Sequence, residues 1–234
     1  MPLSKKEPKK AEIDLWKSLM RPPRESSRAK TWSDAALIRL FQHTPTPIIA
    51  DAMDGRNVLG CLKPVLPHVA IAGPAVTVKT NPTDWGTVVS AIDVASVGDV
   101  LFIDGSGSNF AVWGGLTSRA AQRRGLAGTT VYGSCRDITT IDALQYPVWA
   151  KEITPRAGRP LNEGEVNVSL VVNGFSIRPR DLVKADAHGV VIIPSADSPA
   201  VADRVLQVLR REHLIETGLK KGRSFSELLG DFSS

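Results

Sequence analysis

Apolar residues recur along this chain with two different periods, and the changes between them divide the sequence into elements. Over residues 34–42, DAALIRLFQ, they fall three and four apart, the spacing of one helical face, with Ser33 placed as an N-cap. Pro45 and Pro47 interrupt the pattern before IIADAMDG. Residues 69–80, VAIAGPAVTVKT, alternate and are β-branched, which predicts a strand with a break at Gly73-Pro74. Helical and strand patterns then take turns. Helices are expected over 84–96, 116–125 and 138–144, and short apolar strands over 99–104, 129–132 and 147–153. The second helix is stopped by Gly125, with Arg123 and Arg124 favourably placed at its carbonyl end. This alternation predicts a buried, mostly parallel α/β layer.

After residue 155 the period shortens. Residues 167–194 read as several short β runs separated by Asn173-Gly174, Pro179 and His188-Gly189, the pattern of an antiparallel region. Ser198 and Pro199 are suited to the N-cap and first position of a helix over 200–218, and SFSELLGDF closes the chain. No internal repeat is visible. The fold class is therefore α/β, a parallel layer plus an antiparallel β region, in a single domain over residues 33–234. Residues 1–32 form a basic N-terminal extension and linker, in which KAEIDLWKSLM has the pattern of a short amphipathic helix.

Composition supports a sizeable core, with 42% apolar and 23% charged residues. The net charge of +5 suggests a nucleic-acid partner until it is located. Residues 1–30 hold nine Lys/Arg against four acids, and the other 204 residues hold 20 of each. The folded body is neutral, so nucleic acid is not its expected partner, and the basic excess belongs to the extension. No run is long enough to span a membrane, and the basic start is followed by no apolar segment of a secretory signal. Two cysteines make neither a disulfide framework nor a cysteine zinc site. A cytoplasmic protein is expected.

The candidate chemistry lies in GGLTSRAAQRRGLAGTTVYGSCRD, residues 114–137. Gly114 and Gly115 open a helix, where the amides of Gly114, Gly115, Leu116 and Thr117 suit an anion, unless the glycines serve only close packing. No lysine–hydroxyl pair of the phosphate-loop type follows, and DGSGSNF lacks a third glycine, so a small carboxylate fits better than a nucleotide. Arg136 offers a planar fork for a carboxylate. Asp137 is either the N-cap of the helix over 138–144 or one ligand of a hydrated Mg²⁺ or Mn²⁺. Cys135, beside an arginine near a helix start, is either a depressed-pKa thiol or a small buried residue. The four histidines have no metal-ligand spacing, and turns or caps account for Asp51, Asp54, Asp84, Asp93 and Asp104.

With these residues in view, the chain resembles the RraA-like proteins, which include the 4-hydroxy-4-methyl-2-oxoglutarate/4-carboxy-4-hydroxy-2-oxoadipate aldolases. The matching stretches are TPIIADAMDG, IAGPAVTVK, VGDVLFIDGSG, residues 111–137, PVWAKEITPRAG, GEVNVSLVVNGFSIRPRD and ADAHGVVIIP, over roughly residues 34–215. The resemblance implies a swivelling β/β/α fold and homotrimers or hexamers with sites between subunits. It also implies a metal-dependent lyase acting on a pyruvyl-containing oxoacid, by retro-aldol cleavage or by oxaloacetate decarboxylation. On that basis Arg136 binds the substrate's carboxylate and 2-oxo oxygen, and Asp137 ligates Mg²⁺ or Mn²⁺. The amides at Gly114, Gly115, Leu116 and Thr117 hold the carboxylate. Aldolase members carry an acid twenty-one positions before the arginine; Gly115 stands there, so decarboxylation, which needs no base for a C4 hydroxyl, is the expected activity. The different expectation from the same resemblance is a non-catalytic regulator of a ribonuclease or RNA helicase.

Overall fold

The structure, a computed structural model, describes residues 32–232. Most of the basic extension, with its amphipathic segment, therefore lies outside the described residues. The chain divides into two compact units, Trp32–Ala202 and, among the described residues, 203–232.

In the first unit, α1 (Asp34–His43) begins where its pattern indicates, with the Ser33 hydroxyl accepting from the Ala36 amide, and it buries Leu37, Leu40 and Phe41. A second helix, α2 (Thr46–Ala52), follows where the two prolines suggested only an interruption. Pro47 sits in its first turn, where a missing N–H costs nothing. The Thr46 amide and hydroxyl both donate to the Asp186 carboxylate, each at 2.7 Å, and fix its start.

The strands β1 (Val58–Leu59), β2 (Lys63–Pro64) and β3 (Ile71–Lys79) come next. They are followed by α3 (Gly86–Val94), β4 (Val100–Asp104), β5 (Ala111–Trp113) and α4 (Gly115–Arg124). The parallel layer ends with β6 (Gly128–Cys135), α5 (Ile138–Leu144) and β7 (Val148–Ile153). The antiparallel part comprises β8 (Glu165–Val166), β9 (Leu170–Val172), β10 (Phe175–Ile177), β11 (Leu182–Asp186) and β12 (Gly189–Ile193).

The main sheet runs β1-β12-β11-β3-β4-β6-β7-β2, with β5 beside β6 and β8 beside β3; β9 and β10 form a separate hairpin. Strands β3, β4, β6 and β7 are parallel, as the alternating pattern requires, and the strands flanking them pair antiparallel. Strands β1 and β2 occupy opposite ends of this order yet are joined through Gly60–Leu62. Three residues span little more than 10 Å, so the sheet must curl until its edges approach.

The break expected at Gly73-Pro74 is not there: β3 is continuous. Its first half pairs with β11 up to Pro74 and its second half with β4 from Ala75. The proline therefore falls where the strand exchanges partners, and a missing donor is tolerated there. A side chain at Gly73 would run into the Gly98 carbonyl, which accounts for that glycine.

Period-2 alternation sends the two faces of the sheet to two cores. Val76, Val78, Leu101, Ile103 and Val131 pack with Val88, Ala121 and Ile141 of the helices. Ala75, Val100 and Phe102 face the other way, with Trp149, Val183, Val190 and Ile192. One helix end differs from expectation. Helix α6 (Ser198–Lys220) already includes Ser198, whose hydroxyl donates back to the Ser195 carbonyl instead of capping. In the second unit, α7 (Phe225–Gly230) is closed by a capping box between Ser224 and Glu227. A Cβ at Gly218 would collide with Leu228, so the last helix packs at close range.

Candidate active site

Ligand sites in parallel α/β sheets form beyond the carboxyl ends of the strands. Strands β5 and β6 are parallel neighbours, with Trp113 opposite Cys135, so their carboxyl ends lie side by side. The Arg136 amide donates to the Trp113 carbonyl at 3.0 Å. Residues 114–117 and 136–137, twenty or so positions apart in the chain, are thereby brought together.

Asp137 is the informative residue. It stands at the N-cap position of α5, and its backbone carbonyl accepts from Thr140 and Ile141, but its side chain makes no capping bond. The carboxylate points instead to α4. Its Oδ2 accepts from the Gly115 amide at 3.0 Å and lies 3.7 Å from Arg136 Nε. The turn is made by a left-handed backbone, φ 60° and ψ 41°, a conformation that costs about 1 kcal/mol or more in a non-glycine residue. The cap alternative raised by the sequence thus gives way to a carboxylate aimed at the next helix's positive end.

The four amides at that helix entrance are not equivalent. Gly114 N–H donates to Thr117 Oγ1, which donates in turn to the Gly114 carbonyl, and Gly115 N–H is held by Asp137. An anion is therefore left the amides of Leu116 and Thr117, which lie in the first turn and have no helical acceptor. Both glycines are required by close approach. A Cβ at Gly114 would lie 2.8 Å from Asp137 Oδ2, and one at Gly115 would lie 2.7 Å from the Thr140 methyl.

Arg136 and Asp137 line a cleft of about 90 Å³. Its other walls are Trp85, Ala111, Val112, Trp113, Leu116, Thr117 and Ala157. The two charged side chains are a little over 40% exposed, so the site is open to ligand. Trp113 is fixed by a 2.8 Å bond from its indole to Ser118 Oγ and by stacking on Tyr146. Trp85 donates to the Gly158 carbonyl at 3.2 Å. The segment carrying Ala157 and Gly158 is tied down by Asp84, which is completely buried. Asp84 Oδ1 accepts from Gly86, Leu161 and Asn162, and Oδ2 accepts from Thr87 Oγ1 and Glu163. Burial alone would raise the pKa of this carboxyl, but the bonds from Thr87, Glu163, Gly86 and Asn162 prevail and hold it at about 2.

One alternative from sequence is decided here and one expectation changes. Cys135 is the small buried residue and not an activated thiol: burial, with the charge of Asp137 added, pushes it up to about 12. Asp84, which a turn or cap seemed to explain, anchors a cleft wall from 77 to 79 residues away. Sequence reasoning also missed Trp85 and Ala157, which carry no motif; the local signal was only a tryptophan directly after a cap-forming aspartate. Among the described residues no three His, Cys, Asp or Glu side chains gather as a metal site. Among them, too, no helix is long and apolar enough to cross a membrane.

With this geometry established, the chain was compared with known proteins. It is 33% identical over 198 residues to the uncharacterized protein MJ0644 of Methanocaldococcus jannaschii, covering 82% of this chain and 93% of that one. It is 36% identical over 169 residues to a protein of Halalkalibacterium halodurans whose name proposes a 4-hydroxy-4-methyl-2-oxoglutarate aldolase, covering 71% and 80%. An uncharacterized protein of Pseudomonas syringae superposes with a TM-score of 0.77 at 25% identity, over 89% of this chain and 99% of that one. The RNA-processing inhibitor RraA of Thermus thermophilis superposes with a TM-score of 0.60 at 28% identity, over 65% and 93%. The RraA-like profile, described as Aldolase/RraA, matches residues 46–192, a span that contains the whole cleft and the Arg136–Asp137 pair, and the chain belongs to that family.

Proposed function

We propose that this protein is a divalent-metal-dependent lyase that cleaves a pyruvyl-containing oxoacid at the Arg136–Asp137 pair of the cleft. The supporting observation is the turn of the Asp137 carboxylate away from its own helix and onto the entrance of α4. A carboxylate used only as a cap has no reason to hold a left-handed backbone and half-exposed oxygens beside an arginine. The names of the curated relatives favour the same substrate class.

Asp137 offers one hard oxygen donor set. Mg²⁺ and ions like it are held by one or two carboxylates and fill the remaining positions with water and substrate, so the residues fit such an ion. When bound there, the ion supplies Lewis-acid polarisation of the 2-oxo group. Arg136 holds the C1 carboxylate through its planar fork and neutralises the charge that develops on the 2-oxo oxygen. The first-turn amides of Leu116 and Thr117 add the positive end of the α4 dipole. In oxaloacetate the C3–C4 bond breaks, CO₂ leaves, and water protonates C3 to give pyruvate. In a 4-hydroxy substrate the C4 hydroxyl must also lose its proton, and Gly115 supplies no carboxylate for that. Decarboxylation is therefore expected to be faster than retro-aldol cleavage.

The test is pyruvate release from oxaloacetate and from 4-hydroxy-4-methyl-2-oxoglutarate, with Mg²⁺ or with chelator, for wild type and Asp137→Ala. Mg²⁺-dependent release abolished by Asp137→Ala supports the reading. Turnover indifferent to metal or to Asp137 refutes the site. Absence of turnover on both substrates points instead to a non-catalytic regulator of a ribonuclease or helicase.

A further inference from the structure

One wall of the cleft is held by a single buried charge. The chain between β7 and β8 pairs at Ala157 with Ala111 of β5 and at Arg159 with Asp84, just before α3. Its main chain is fixed along most of its length. The Ala111 amide donates to the Arg156 carbonyl at 2.8 Å, the Arg159 amide to that of Thr83 at 2.6 Å, and the Trp85 amide to that of Arg159 at 3.0 Å. The amides of Leu161, Asn162 and Glu163 then converge on the Asp84 carboxylate, and the Gly164 amide donates to Thr87 Oγ1 at 2.9 Å. Three glycines let the two segments meet this closely. A Cβ at Gly86 would lie 2.7 Å from Asn162 Oδ1, one at Gly158 would run into the Thr83 carbonyl, and one at Gly164 into that of Lys79. The seam has no room to slide, so residues 156–164 form a fixed wall and not a lid.

We propose that Asp84 is a positioning residue, which sets the affinity of the cleft for its oxoacid by holding Trp85 and Ala157 in place. The proposal rests on the reading that the oxoacid binds at Arg136 and Asp137. Asp84 is completely buried, so it acts through other residues and not on the ligand itself. It stands directly before Trp85 and reaches both sides of the seam. Its bonds from Gly86 and Thr87 fix the start of α3, and its bonds from residues 161–163 fix the segment that returns from Ala157. Trp85 and Ala157 line the same cleft as Arg136 and Asp137. That charged pair is itself placed by the Trp113 carbonyl and the Gly115 amide, and Asp84 bonds to neither. Loss of the Asp84 charge therefore loosens the wall and leaves the charged pair where it is. Wall contacts act alike on bound substrate and transition state, so the loss falls on KM and not on kcat.

The test uses the full chain with Mg²⁺ at a temperature where circular dichroism shows each variant folded. Oxaloacetate turnover gives KM and kcat, and titration calorimetry gives the Kd of oxalate, a planar dianion that imitates the pyruvate enolate. Asp84→Asn is expected to raise KM and the oxalate Kd about tenfold and to change kcat less than about threefold. Thr87→Val removes one bond to Asp84 and the acceptor of Gly164, and should shift KM and Kd in the same direction by about threefold; it decides the matter if Asp84→Asn does not fold. Thr46→Val, which breaks a comparable bond to buried Asp186 away from the cleft, should lower Tm and leave KM unchanged. A folded Asp84→Asn variant with a lowered Tm and wild-type KM and Kd overturns the proposal, because the role is then structural alone. A fall in kcat at unchanged KM, or an equal rise in KM in Thr46→Val, also overturns it. Wild-type protein that binds oxalate but turns over no oxaloacetate sinks the lyase reading alone, and the Kd shifts then decide this proposal. Failure to bind either dianion sinks both.

Discussion

Replacing Asp84 with asparagine removes one charge and exchanges one acceptor for a donor without changing the shape of the side chain. The carboxylate now accepts five bonds of 2.7–3.1 Å, four from amides and one from a hydroxyl. An asparagine oxygen can keep the bonds from Gly86, Leu161 and Asn162, but its NH₂ then faces the Glu163 N–H, and that donor is left buried and unpaired. Losing a charge-assisted bond and orphaning a donor costs roughly 2–4 kcal/mol. The depressed pKa gives an independent figure: a fall from 3.8 to about 2 corresponds to about 2.5 kcal/mol. The two agree, and for a chain of this size they correspond to a Tm lowered by about 5–12 °C. Thermal and urea unfolding of both proteins at pH 7 check the value. The pH dependence checks the cause. Because the folded pKa lies below the unfolded one, the stabilisation is complete above about pH 4 and is lost as pH falls through 2. The gap between wild type and Asp84→Asn should therefore close between pH 4 and pH 2. A variant within about 2 °C of wild type at pH 7, or a gap that does not narrow in acid, would refute the reasoning.

Asp137→Ala should lose metal-dependent pyruvate release while changing unfolding free energy by only about 1 kcal/mol, since it removes an exposed bond but keeps a left-handed backbone. Gly115→Asp, which supplies an acid at the helix entrance, should cost about 1–3 kcal/mol because its Cβ would press on Thr140; Thr140→Ala should recover only part, since the Thr140 Cβ is itself 2.9 Å away. A double-mutant cycle in urea measures that coupling. Lys184 is buried, its ammonium donating to the Gln42 carbonyl, and burial pushes its pKa down to about 8 despite the opposing charge of Asp186. The unfolded chain then binds more protons between pH 8 and 10.5, so wild-type stability should rise relative to Lys184→Met by about 1.5 kcal/mol from pH 8 to 9.5. A thiol reagent at pH 8 should modify exposed Cys61 in the native protein and buried Cys135 only after denaturation, giving one thiol and then two.

Much of the fold was legible because its signals are local. Ser33 caps α1 where expected, and Gly125, at φ 83°, ends α4 where expected. Apart from β5, the strands and helices between residues 84 and 153 also follow their periods. Elements of three residues or governed by a distant partner were not legible. Strand β5 is too short to show a period and exists because β6 offers an edge, and α2 is held at its start by Asp186, 140 residues away. At the site, Arg136, Asp137 and the paired glycines stood out by residue type. Trp85 and Ala157 did not, because an apolar residue lining a cleft has the same local pattern as one lining a core.

By itself, then, the sequence determined the period of each segment, the stops and caps between them, and the residue types able to hold an oxoacid and a cation. Those properties depend on neighbours within a few positions. The tertiary structure decided which ends meet. The parallel pairing of β5 and β6 puts Gly115 against Asp137, turns a potential cap into a carboxylate facing another helix, and leaves Gly115 no room for an acid beside Thr140. It also gathered Trp85, Trp113 and Ala157 into one cleft with the two charges of Arg136 and Asp137. Such placements follow from strand order and from the packing of the whole sheet, and no periodicity along the chain encodes them.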